Sequence, residues 1–108
     1  ASDGITANAV HPGPIVETGL YRHLDSSVVD NIATTYAQRT IKQGASTTVV
    51  VATAPELDGV GGRYFEDCNE APVLELSALD AAGPGVARYA LDPEAAERLW
   101  AASQRLLA

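Results

Sequence analysis

The sequence predicts an α/β fold in the order strand, helices, strand, helix. Three observations carry this. A short apolar segment, residues 5–10, stops abruptly at His11-Pro12-Gly13-Pro14. Apolar residues then recur at helical spacing over residues 28–39, before a second strand-like segment at Tyr64-Phe65. The chain closes on an amphipathic helix opened by Asp92-Pro93. A strand–helix–strand unit implies two parallel strands joined by a crossover. Parallel strands are normally buried on both faces of a larger sheet. Two short strands cannot make a self-sufficient one, so the pattern predicts that further sheet is needed.

Each element has a local cause. In "GITANAVHP", Ile5, Ala7, Ala9 and Val10 form a strand bounded by Gly4 and Pro12. In "VVDNIATTYAQR", Val28, Val29, Ile32 and Tyr36 fall on a helical face, with Ser26 or Ser27 as the cap. "ASTTVVVATAPEL" is ambiguous. Thr47, Thr48, Val49, Val50 and Val51 favour strand by propensity, while the limits Gly44 and Pro55 admit either a three-turn helix or one long strand. Residues 68–90 read as a loop or tail. At the C-terminus Asp92 is the expected cap and Pro93 the first helical residue. Glu94 and Glu97 suit the positive end of the helix dipole. Ala96, Leu99, Trp100, Ser103, Leu106 and Leu107 line one face.

Composition excludes several functions. The 108 residues carry 7 Lys+Arg against 14 Asp+Glu, a net charge of −7. This opposes binding to nucleic acid and to anionic membrane surfaces. Cys68 is the single cysteine, so neither an internal disulfide nor a cysteine zinc site is expected. The acidic neighbours of Cys68 oppose thiolate reactivity. His11 and His23 lie too far apart for one helical face, and no metal pattern includes them. Gly59-Val60-Gly61-Gly62 precedes a strand, whereas a phosphate-cradling loop follows one, so it reads as a turn. No membrane-span or signal pattern stands out, and the expected compartment is the cytoplasm.

The segment "GITANAVHPGPIVETGL" resembles the strand and turn that follow the catalytic helix of the short-chain dehydrogenase/reductase family. The family pattern N-x-V-x-P-G, followed by Thr, is matched by Asn8, Val10, Pro12, Gly13 and Thr18. Four residues separate Gly13 from Thr18, where three are common. The stretch "QGASTTVVVATAPELDGVGGRYFEDCNEA" is similar to the retinol-dehydrogenase-like branch of the family, as is "LDPEAAERLWAASQRLL". On that resemblance, and against propensity, "ASTTVVVATA" is expected to be helical.

The resemblance implies that residues 1–108 are the C-terminal segment of a Rossmann-like, doubly wound parallel sheet. This segment would hold the nicotinamide-side turn, a substrate lid, the last core strand and the closing helix. It implies cofactor binding by Pro12, Gly13, Pro14, Ile15 and Thr18. The lid, between residues 18 and 42, would face substrate with Leu20, Tyr21, His23 and Leu24, and Arg22 would point to solvent or phosphate. The complete parent would use NAD or NADP on an alcohol or carbonyl substrate.

The family's T-G-x-x-x-G-x-G and catalytic Y-x-x-x-K are absent from these residues. Lys42 is the only lysine, and Gln38 stands four residues before it. No catalytic residue is therefore assigned, and this chain alone is expected to be inactive and to bind no cofactor. The expected partner is the missing N-terminal half or another copy of the chain. The alternative is a catalytically silent interaction or structural domain that kept the scaffold.

Overall fold

The computed structural model describes residues 3–75 and 84–107. The chain divides into two compact units, Ala1–Ala71 and Pro72–Ala108.

The first unit holds a three-stranded sheet in the order β1-β2-β3, with β1 at Ala9–His11, β2 at Tyr64–Glu66 and β3 at Asn69–Glu70. β1 and β2 run parallel, with Ala9, Val10 and His11 opposite Tyr64, Phe65 and Glu66. β3 returns antiparallel to β2. Between β1 and β2 run a 3₁₀ turn at Gly19–Tyr21, helix α1 at Ser26–Thr35 and helix α2 at Ile41–Thr53. The parallel pair and its helical crossover are as expected, and the chain is α/β with a small sheet.

β1 is shorter than the segment read from the sequence. Residues 5–8 have no strand pairing, and Ile5 is exposed. Asn8 accounts for this. Its side-chain amide donates to the Val60 carbonyl (2.9 Å) and its side-chain carbonyl accepts from the Arg63 N–H (3.0 Å), beside a backbone bond from the Gly62 N–H to the Ala7 carbonyl (2.8 Å). The glycines 59–62 form the turn that leads into β2, with Gly59 and Gly62 at φ +73°.

α2 starts four residues before the expected helix, and Gly44 lies inside it rather than before it. A capping box explains the early start. Thr40 accepts from the Gln43 N–H, and the Gln43 side chain accepts from the Thr40 N–H. Gly44, Thr47, Val51 and Ala54 then follow one another at intervals of three and four and form the less exposed face. Packing of that face against β1 and β2 overrides the strand propensity of the β-branched run. α1 departs in a different way. Asp25 takes the cap position without a side-chain hydrogen bond, and Ser26 and Ser27 are already helical.

The second unit is lighter. β4 at Val73–Leu74 pairs in parallel with β5 at Val86–Ala87. A 3₁₀ turn at Arg88–Leu91 leads to α3 at Pro93–Leu107. Asp92 caps α3 as expected, its carboxylate accepting from the Glu94 N–H at 2.9 Å. The loop expected over residues 68–90 is corrected by three short strands and a 3₁₀ turn; residues 76–83 of that stretch lie outside the described residues. Strands of two residues are too short to leave a period in the sequence, which is why they escaped it.

Candidate functional site

The Pro12-Gly13-Pro14 turn sits at the carboxyl end of β1, where ligands bind in open α/β sheets. Gly13 has φ +76°, a conformation that favours glycine. A Cβ there would come within 2.8 Å of Arg39 Cγ. The turn is tied down next door: the Arg39 N–H donates to the Pro14 carbonyl at 2.9 Å. Ile15 packs its side chain onto Gly44 of α2, and the Pro12 carbonyl oxygen would lie 3.3 Å from a Cβ at Gly44. The helix thus approaches the turn as closely as a bare backbone allows. Among the described residues the N–H groups of Ile15 and Val16 have no acceptor.

Thr18 is engaged locally. Its hydroxyl donates to the Ile15 carbonyl (3.0 Å) and accepts from the Leu20 N–H (3.4 Å), capping the 3₁₀ turn. Oγ1 keeps a further lone pair for a ligand donor. Of the residues expected in the lid, Leu20, His23 and Leu24 are exposed and Tyr21 is half-buried. Arg22 reaches back to the Gly19 carbonyl at 2.8 Å and to His23 Nε2 at 3.0 Å. The residues named from the sequence therefore lie in one run, 12–24, that begins at the strand end.

Sequence reasoning missed the residues that hold the turn. Arg39 grips Asp67 through two parallel bonds, Nε to Oδ1 at 2.9 Å and Nη2 to Oδ2 at 2.8 Å. The bond from Arg39 holds the Asp67 carboxyl below the usual carboxylate range, against the opposing effect of partial burial and with help from the charges of Arg39 and His11. Asp67 and Cys68 make the tight β2–β3 turn, both at positive φ, +46° and +62°. The Cys68 N–H donates to Thr47 Oγ1 at 3.1 Å, and Thr47 is only 2% exposed. The acidic stretch 66–70 is a hairpin fixed from two sides. Its only sequence signal is the Asp-Cys pair between two polar strand ends, because the partners Arg39 and Thr47 lie 28 and 21 residues away.

Burial, and then the charge of Glu66, push the Tyr64 phenol up, which makes it a poorer proton shuttle. Among the described residues no group of His, Cys, Asp and Glu could hold a metal ion, and no helix is long and apolar enough to cross a membrane.

The chain is 49% identical over 109 residues to a "probable oxidoreductase" of Streptomyces lividans, covering 93% of this chain and 36% of that protein. It is 40% identical to the short-chain dehydrogenase/reductase prx1 of Penicillium roqueforti, over 98% of this chain and 32% of that protein. It is 37% identical to the human WW domain-containing oxidoreductase, over 96% of this chain and 22% of that protein. No family model matches the chain, and no solved structure matches it significantly. The resemblance to short-chain dehydrogenase/reductases, seen first in the Pro12-Gly13 turn, thus extends over nearly the whole chain. The chain spans about a third or less of the length of these curated relatives.

Proposed function

We propose that these residues are the C-terminal part of an NAD(P)-dependent oxidoreductase acting on an alcohol or carbonyl substrate, built on a doubly wound Rossmann-like sheet. The observation that carries the reading is the Pro12–Ile15 turn at the carboxyl end of a parallel strand, in a chain whose relatives are named oxidoreductases. The fit to a nicotinamide is chemical. A carboxamide offers a carbonyl acceptor and an amide donor, and the turn offers the acceptor-free N–H groups of Ile15 and Val16 beside the remaining lone pair of Thr18 Oγ1. Gly13, at positive φ and without a side chain, lets the turn close against the Arg39 stem and so sets the course of the backbone at Ile15 and Val16. Bound there, the nicotinamide would supply hydride transfer.

Leu20 and Leu24, exposed on either side of Tyr21, support a lid over an apolar substrate. The partner is the N-terminal remainder of the same fold, or a second copy of the chain. Among the described residues one side of β1 has no strand partner, with Val10 at the surface, and this side and the exposed face of α3 suit that role. The reaction's acid–base groups and phosphate loop would come from outside these residues.

Two arms test this. The 108-residue chain, assayed with NAD(H) and NADP(H) against simple alcohols and ketones, is expected to give no turnover. Turnover proportional to its concentration would overturn the division of labour. The protein as the cell makes it is expected to quench or shift NAD(P)H fluorescence on binding; no change with either cofactor would overturn the cofactor reading.

A further inference from the structure

The turn proposed to meet the nicotinamide is part of a closed ring of contacts. Its Pro14 carbonyl accepts from the Arg39 backbone, and its Gly13 faces the aliphatic stem of Arg39. The Arg39 guanidinium is forked onto Asp67, and its third nitrogen, Nη1, donates to the Ala37 carbonyl at 3.2 Å. Asp67 is itself held: its carbonyl accepts from the Asn69 amide at 2.8 Å, and the next N–H, that of Cys68, donates to buried Thr47. Thr47 lies one turn along α2 from Gly44, onto which Ile15 packs. The path from the turn through Arg39, Asp67, Thr47 and Gly44 thus returns to the turn at Ile15.

We propose that Arg39, oriented by Asp67, is a positioning residue that holds the Pro12–Ile15 turn in the shape a nicotinamide carboxamide meets, an inference that rests on the cofactor reading above. The chemistry favours arginine. A guanidinium forked onto a carboxylate is fixed in direction as well as distance, whereas a lysine ammonium is a point charge free to swing. Fixing the guanidinium fixes the stem, and the stem sits where Gly13 leaves room. The same residue's N–H holds the Pro14 carbonyl, and the planar peptide that carries this carbonyl also carries the Ile15 N–H, so the direction of that N–H follows from where Arg39 is held. The positive φ values at Asp67 and Cys68 fit this role, since such backbone persists where the surroundings over-determine it.

The test uses the protein as the cell makes it, with Asp67→Asn, Arg39→Lys and Asp67→Glu. Asp67→Asn is close in shape and removes the charge from a half-exposed side chain, so folding is expected to survive. Arg39→Lys keeps the charge and loses the fork. Three readouts are needed: cofactor dissociation constant, KM against kcat, and amide exchange of Thr18 and Arg39, whose N–H groups are bonded to carbonyls of the turn. Asp67→Asn and Arg39→Lys are expected to weaken cofactor binding by between about tenfold and about a hundredfold, the loss a small misplacement brings. The cofactor KM should rise more than kcat falls, exchange in the turn should quicken, and Asp67→Glu should restore part of the affinity. Unchanged affinity in both variants overturns the proposal, as does unchanged exchange in the turn. If the unaltered protein binds neither NAD(H) nor NADP(H), the cofactor reading falls, and exchange alone then decides whether Arg39 holds the turn.

Discussion

Residues 3–71 and residues 72–107 each pair two parallel strands and carry a helix, yet they hold these parts in different ways. In the first unit the sheet end is braced from outside the ladder. Asn8 spans the turn into β2, Arg39 joins two turns, and Thr47 reaches the hairpin from α2. Phe65 is 3% exposed beneath them. In the second unit the strands are two residues long, and among its described residues only Val86 and Ala87 are buried. The large apolar side chains of α3 face outward, with Leu99 70% and Trp100 67% exposed. One unit is organised by side-chain bonds to backbone, the other by an amphipathic helix whose apolar side is open. The first arrangement fixes a local shape, as a binding turn requires. The second stores transfer energy that is released only when something covers the helix.

The largest expected effect sharpens this contrast. Phe65→Ala should destabilise the protein by about 3–5 kcal/mol, the usual cost of emptying an aromatic site. Trp100→Ala should change the stability of the 108-residue chain by no more than about 0.5 kcal/mol, as exposed positions do. Urea denaturation of both variants checks this. Equal losses would mean that the α3 face is covered in solution.

A smaller effect comes from Gly44. Replacement by alanine within a helix ordinarily helps, yet here the new Cβ meets Ile15 and approaches the Pro12 carbonyl. Gly44→Val should cost about 1–3 kcal/mol through overpacking. Thermal melting that showed no loss would break the picture of a helix seated on the turn. Asp92→Ala, in the lighter unit, should cost about 1 kcal/mol by losing the cap of α3. Helix content by circular dichroism on heating would register it.

The smallest effect is a pH dependence. Asp67 has its carboxyl lowered in the folded state, chiefly by the bond from Arg39. Its contribution is therefore fully present above the unfolded carboxylate value of about 3.9. It is lost as pH falls through the lower folded value. Asp67→Asn should flatten the acid limb of a stability–pH curve and leave the neutral region nearly level with it. An acid limb identical in both proteins would show that the fork does not contribute.

The strand and turn at 9–15 were legible because Pro and Gly restrict the backbone locally, whatever surrounds them. The cap of α3 was legible for the same reason: Asp92 and Pro93 act on their own first turn. The start of α2 could be read only as far as its propensities allowed, and these pointed to a strand. The Thr40–Gln43 box is local, but the decision for helix needed the packing of Gly44 and Thr47 on the sheet.

What the sequence determined by itself is the α/β order, the parallel crossover, the special turn and the closing helix, because each follows from chain stiffness, period or capping over a few residues. What only the tertiary structure decided is how the turn is held. Arg39 meets Asp67, and Thr47 meets Cys68, across separations of 28 and 21 residues. A hydrogen bond acts over a few ångströms and carries no trace of its partner along the chain, so such pairs exist only once the fold has brought them together.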